Sequence, residues 1–409
     1  MKKIVFYITT FFILLLTLSS CNDSPDIGNN YDDYSKSKKN IVYNNMFYRI
    51  VDDFGKNRIV YYNLDDAEQE NDEVLKYHYL CPDNLCKHDN ELCPSYLRVT
   101  DASIMIDKIE SDKKNHVIMY IKDAYEITKY DTKNNKMELI VKYEGYNMPI
   151  DMIKYNDKLY IIVYSLDGYE LRSMSLNGKN EVTHFIKSKE ESFSFVGVYK
   201  EYVYFRDLIG TFFRWNIESE TEEIVTLNAV ELSEQISDGY LFFARDRDSV
   251  KYDEDSYFGT CSLYMIDLDY FDINDLEKNI ELIENNILVN LVPCVATRNG
   301  KIFYNKCDNP TKLGENILKN PDGSTRTAPV WLLGTGKMYA YDIESKTNEL
   351  LFNDNKLENN VFYYGDDNRV ILKRQEYYKN EEGLWYVKNT DIIYNYKNNT
   401  IKEFESFTA

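Results

Sequence analysis

A short apolar strand recurs along this chain about every 40 to 50 residues, a period that signals stacked sheet units. Copies lie at 46–51, 116–121, 158–164, 202–205, 240–244, 301–304 and 369–372, each rich in Val, Ile, Tyr or Phe. A second element follows each strand. It is an aromatic residue, then Asp or Asn, then a polar turn: Tyr130-Asp131-Thr132-Lys133-Asn134, Trp215-Asn216-Ile217-Glu218-Ser219 and Tyr341-Asp342-Ile343-Glu344-Ser345. In all three a Glu stands eight residues after the aromatic, at Glu138, Glu223 and Glu349. Tyr394-Asn395-Tyr396-Lys397-Asn398 repeats the pattern with Lys402 in place of the Glu, and looser copies begin at Tyr62, Met174 and Ile266. Aromatic strands punctuated by Asp and Asn turns are hairpins.

An inner strand, two strands before the polar turn and one after it make a four-stranded antiparallel sheet, and such sheets repeated about an axis make a β-propeller. The fold expected is therefore all-β, a single propeller of about seven blades, with six or eight as the alternatives. The units begin near residues 41, 100, 150, 195, 233, 290 and 360. No Pro/Gly/Ser-rich linker interrupts the series, so 41–409 reads as one domain. The 37 Tyr, against 20 Phe and 3 Trp, suit half-wet strands whose rings pack while their hydroxyls reach water.

The N-terminus carries a different message. Lys2 and Lys3 precede an apolar run that ends in Leu18, Ser19, Ser20 and Cys21. The run is too short to span a bilayer and stops at small residues, as a signal peptide does. Residues 1–20 are thus expected to be cleaved, and 21–40 to form a lipidated cysteine and a flexible tether. The Leu-Ser-Ser-Cys tetrapeptide resembles a lipobox, which implies a diacylglycerol on the Cys21 sulfur and often an acyl group such as palmitate on its amine. More than one chain makes such an anchor durable. The expected location is the extracytoplasmic face of the cell membrane. A formal charge of -20 argues against nucleic acid as a partner, since phosphate contacts need a surplus of Lys and Arg.

The repeats also resemble those of TolB-like and prolyl-oligopeptidase-like propellers, as found in bacterial extracytoplasmic lipoproteins with domains of unknown function. The resemblance covers most of the chain after residue 40. It implies binding or scaffolding on a rigid disc and carries over no catalytic residue.

The sharpest local motif is an insertion at 81–94, with Cys81, Cys86, His88 and Cys93 in the order C-x4-C-x-H-x4-C. Three thiols and an imidazole suit a closed, structural Cys3His zinc site. Disulfides are the competing expectation outside the cytoplasm. Seven cysteines less Cys21 leave an even number, with Cys261, Cys294 and Cys307 as further candidates. A Cys-His nucleophile is a third reading, without an orienting partner. The histidines His78, His116 and His184 and the acidic stretches 246–255 and 267–275 read as ordinary sheet and loop residues.

Three later units carry long insertions after their apolar strand, at 246–260, 308–336 and 376–389. Connections at one strand position emerge on one face of a propeller, so these are expected to form a common rim. The rim carries Tyr252, Tyr257, Phe258, Trp331, Tyr377, Tyr378, Trp385 and Tyr386, rings that could stack on a ligand or pin their own loops. The function expected is a membrane-tethered binding or assembly module engaging a protein, peptide or glycan through this face. The alternative is an extracytoplasmic hydrolase or lyase acting on glycan or peptide, and the chain lacks the motifs G-x-S-x-G and H-E-x-x-H, which leaves that reading without a motif of its own.

Overall fold

The computed structural model describes residues 36–406 except 37, 54, 69–73, 108–115, 230–235, 254–255, 289–295, 299, 307–310, 320–322, 333–336, 354–356 and 382. Its architecture is a seven-bladed β-propeller of four-stranded antiparallel sheets. The inner strands are Asn40–Tyr43, Ser103–Asp107, Met148–Tyr155, Phe193–Tyr199, Ile236–Ser237, Ala296–Arg298 and Leu357–Gly365, six of them within three residues of the start read from the repeat and the sixth blade's six residues later. Cys21 and the segment 1–20 expected to be a signal peptide lie outside the described residues.

Seven hydrophobic clusters hold the ring, one at each junction between neighbouring blades. Ile104 and Ile106 face the first blade while Met105, between them, faces the third. Phe205 and Phe213 pack toward the third blade, and Tyr204 and Phe212 toward the fifth. Alternate residues of one strand thus serve opposite interfaces, so both faces are buried. That is why the recurring strands read as continuous apolar runs instead of alternating ones.

The aromatic-Asp signature forms the turn between the third and fourth strand of a blade. Tyr130, Trp215, Tyr341 and Tyr394 are buried between blades. The residue after each caps the turn: Asp131 Oδ1 accepts from the Lys133 amide at 2.9 Å, Asn216 Oδ1 from Glu218 at 2.9 Å, Asp342 Oδ1 from Ser345 at 2.8 Å and Asn395 Oδ1 from Lys397 at 3.2 Å. The turn then passes through a left-handed residue, Asn135, Glu220, Lys346 or Asn399. Where that residue is Asn it also accepts the buried tyrosine's hydroxyl, at 2.8 Å for Tyr130 and 3.1 Å for Tyr394.

The ring closes by a contact that the repeat did not announce. Val74–Leu75, in the connection after the third strand of the first blade, pairs in parallel with Thr400–Phe404, the last strand of the seventh. The Glu405 amide donates to Leu75 O at 2.8 Å, and Tyr62 Oη donates to Glu405 O at 3.0 Å. Phe404 inserts against Phe47 and Tyr62 of the first blade, and Arg49 forms a 2.6 Å ion pair with Asp391 of the seventh. The added strand covers part of the outer edge of the seventh blade, over two residue pairs.

Candidate functional site

Two places on the disc gather chemistry, and the same outer edge of the first blade leads to the first of them. Its third strand, Lys56–Asn63, pairs at one end with Tyr77–Tyr79 and at the other with Tyr96–Leu97. The loop 80–95 is held between those two pairings. Ile59 fixes both its ends: its amide donates to Ser95 O at 2.8 Å and its carbonyl accepts from Leu80 at 3.1 Å. Inside the loop Asp83 and Asn90 each accept the amide two residues on, from Leu85 and Leu92. These turns push Leu85 and Leu92 into solvent and direct the cysteines inward.

The result brings Cys81, Cys86, His88 and Cys93 together with all their ligand atoms within 4.8 Å of one another. A tetrahedral zinc with sulfur at about 2.3 Å would hold its ligands roughly 3.8 Å apart, so only a small contraction separates this cluster from coordination geometry. His88 Nδ1 lies 3.3 Å from Cys93 Sγ, and its ring sits on Tyr79 at 4.1 Å. His88 also takes a left-handed backbone at φ 52°, a conformation that folds the imidazole back over the cysteines. Burial pushes the Cys93 thiol up to about 12 and the Cys81 thiol up as well, while burial and then the Arg58 charge lower His88. A cation would displace the thiol protons. Three thiolates and a divalent ion leave one negative charge, which the buried Arg58 beside the loop offsets.

The disulfide expectation fails for these thiols. Cys81, Cys86 and Cys93 are unbonded, because the two turns converge all three on the imidazole and do not pair any two. Cys261 is buried in the core between the fifth and sixth blades. Cys294 and Cys307 lie outside the described residues. The other histidines are held by their neighbours: His78, on a strand, stacks on Tyr61, His184, on a strand, bridges Glu220 and Ser173, and His116, just before a strand, pairs with Asp131.

The second place is the face carrying the three insertions. All three arise between the second and third strands of their blades, as the repeat register required. They are hairpins and not irregular loops. In the fifth and seventh blades the strands simply run on, as Tyr240–Asp253 with Ser256–Asp267 and as Arg369–Lys379 with Trp385–Asn395. In the sixth a separate hairpin, Thr311–Lys319 with Thr325–Leu332, is inserted. Eleven-residue strands rise about 15 Å above the six-residue strands of the blades with short turns.

The sixth- and seventh-blade hairpins lock together. Asn316 Nδ2 donates to Trp385 O at 2.8 Å while its Oδ1 accepts from the Trp385 amide at 2.7 Å. The indole edge lies over Gly314, where a Cβ would come within 2.3 Å of Nε1. Trp385 is half-buried and anchors this contact, and Trp331 is half-buried as well. Tyr377 is likewise half-buried, on Gln375, whereas Tyr378 and Tyr386 stack at 6.0 Å and stay exposed. Tyr252, Tyr257 and Phe258 lie on the paired strands of the fifth-blade hairpin.

On the same face the blades with short turns present apolar tips that the repeat reading overlooked. Tyr125, Leu166, and Leu208 with Ile209 stand at the turns of the second, third and fourth blades, and Ile209 is 81% exposed. Their signal was available, as one or two large apolar residues inside otherwise polar turns. A cleft of about 690 Å³ opens beside Leu208 and Ile209, lined also by Arg206, Arg245 and Glu277.

The chain matches no family model and no curated protein. Solved structures similar to it include the tricorn protease, at 8% identity and a TM-score of 0.38, covering 90% of this chain and 39% of that one. Another is an uncharacterized protein from Listeria monocytogenes EGD-e, at 12% identity and a TM-score of 0.38, covering 76% and 84% of the two chains. A third is oligogalacturonate lyase in complex with manganese, at 12% identity and a TM-score of 0.36, covering 90% and 85%. The chain spans well under half the length of the tricorn protease, and no activity is carried over from any of the three.

Proposed function

We propose that this chain is a lipid-anchored, extracytoplasmic binding or assembly module whose partner docks on the hairpin face, with a structural zinc bound by Cys81, Cys86, His88 and Cys93. The observation that carries the reading is the convergence of three hairpins and a set of exposed apolar tips on one face of a rigid ring. Exposed apolar side chains grouped on one face mark interaction sites. Among protein, peptide and glycan partners, the aliphatic tips Leu166, Leu208 and Ile209 favour a protein surface or peptide, since sugars are held chiefly by aromatic planes and hydrogen bonds. The locked pair of hairpins on the sixth and seventh blades supplies a preformed wall on the same face, which lowers the ordering cost of association.

The test is photo-cross-linking in the producing cell from position 209 on the hairpin face and from position 134 on the opposite face. A discrete adduct from 209, lost when Tyr378→Ala and Tyr386→Ala are combined, is expected. Adducts from 134 alone would refute the assignment of the face.

A further inference from the structure

The direction in which the chain enters the ring fixes which face looks toward the membrane. Inner strands begin at the face that carries the hairpins, because a blade's second strand returns to the level where its first began. The hairpins therefore crown the starting ends of the inner strands, and the aromatic-Asp turns lie at their finishing ends. Just before the first inner strand, Lys38 pairs antiparallel with Ile104 of the second blade, exchanging both backbone hydrogen bonds at 2.8 Å. Two residues earlier Lys36 pairs antiparallel with Ile153 of the third blade, and its Nζ donates to the Phe195 carbonyl of the fourth. The segment thus reaches across three inner strands and runs antiparallel to the two it pairs with. Followed backward from Lys38 to Lys36, the chain heads for the face opposite the hairpins.

We infer that the tether leaves the disc through its central channel on the face opposite the hairpins, so that an anchor at Cys21 turns the hairpin face away from the membrane. This takes the lipid anchor from the function proposed above and adds its geometry. Lengths support it. About fifteen residue steps separate Cys21 from Lys36, at most about 50 Å when fully extended. To lay the hairpin tips on the bilayer, the tether would have to cross roughly 20 Å of blade, climb roughly 20 Å of disc and pass roughly 15 Å of hairpin. That route takes up the whole of even a fully extended tether, so only a taut chain could follow it. The consequence decides between two readings of the apolar tips: Leu166, Leu208 and Ile209 face a partner in the extracytoplasmic space and do not insert into lipid. The channel lined by Lys36 and Lys38 is then a passage for the chain's own terminus.

Two measurements on the full chain test this. In detergent, a photo-reactive phenylalanine analogue at position 36 should cross-link to peptides containing Ile153 or Phe195; cross-links confined to other blades would overturn the path. In phosphatidylcholine vesicles carrying an acceptor lipid, a donor dye at position 344, on an aromatic-Asp turn, should transfer energy to the bilayer. A dye at 381, on the tip of the seventh-blade hairpin, should show near loss of transfer. Stronger transfer from 381 would overturn the orientation. No transfer from either, with the cross-link intact, would defeat the anchor and the orientation while leaving the path of the chain in place.

Discussion

Replacing Phe404 by Ala should open the ring at one seam. The ring of Phe404 is 4% exposed and lies 4.8 Å from Tyr62, edge to face, and 5.4 Å from Phe47. Truncating a buried Phe costs about 3–5 kcal/mol, the transfer energy of the ring plus the cavity it leaves. Two aromatic contacts, each worth about 0.5–1.5 kcal/mol, place this site toward the upper end. Against a whole-domain stability of about 5–15 kcal/mol, that is a third or more of the total. The loss should also be local, because Thr400–Phe404 holds Val74–Leu75 by a two-residue pairing. Hydrogen exchange read by mass spectrometry should accelerate first in peptides covering Leu75 and Glu405. Phe205→Ala, in the core between the third and fourth blades, serves as the control of equal chemistry. If both variants lose protection at the seam to the same degree, closure by the 74–75 pairing is refuted.

Other outcomes follow from the same structure. Burial raises Tyr130, Tyr160 and Tyr204 to about 12, so each favours the folded state fully below the unfolded tyrosine value near 10, and that advantage fades as pH climbs from there toward 12. Urea midpoints should hold steady from pH 8 to 9.5 and fall steeply above 10, and a flat profile through pH 11 would contradict the burial of these hydroxyls. Asn316→Ala removes both hydrogen bonds to the Trp385 backbone, at about 1–3 kcal/mol for the groups left unpaired; exchange in 384–387 should quicken with the global midpoint nearly unchanged, and a large global loss would show the hairpins to be part of the core. Gly168 has φ +136°, and a Cβ there would sit 2.0 Å from Lys187 O, so Gly168→Ala should lower the melting temperature of the protein measurably, whereas a neutral result would mean that the turn relaxes freely.

The ring was legible in the sequence because its blades bury both faces of their strands. Continuous apolar runs such as 158–164 mark the second strand of a blade, and Tyr130-Asp131 or Tyr394-Asn395 marks the outer turn, where an Asx cap and a left-handed residue are both required. The common origin of the three insertions was legible too, from strand position alone. Their hairpin character was not. Thr311–Lys319 is largely exposed on both faces, so hydrophobic alternation gives no strand signal there. Ring closure was hidden for a related reason, since Val74–Leu75 is a two-residue strand between polar stretches and its partner lies more than 300 residues away. The Cys3His cluster was visible as residue types, yet spacing alone left thiols free to pair. Asp83 and Asn90, which accept the amides two residues on, form the turns that carry Cys86 and Cys93 toward His88.

The most direct test of the proposed zinc site is native mass spectrometry of the protein purified without chelator, combined with thiol alkylation. One zinc per chain is predicted, with Cys81, Cys86 and Cys93 resisting alkylation until the metal is stripped. A metal-free mass two hydrogens lighter than the reduced chain, with a disulfide mapped among those three cysteines, would contradict it.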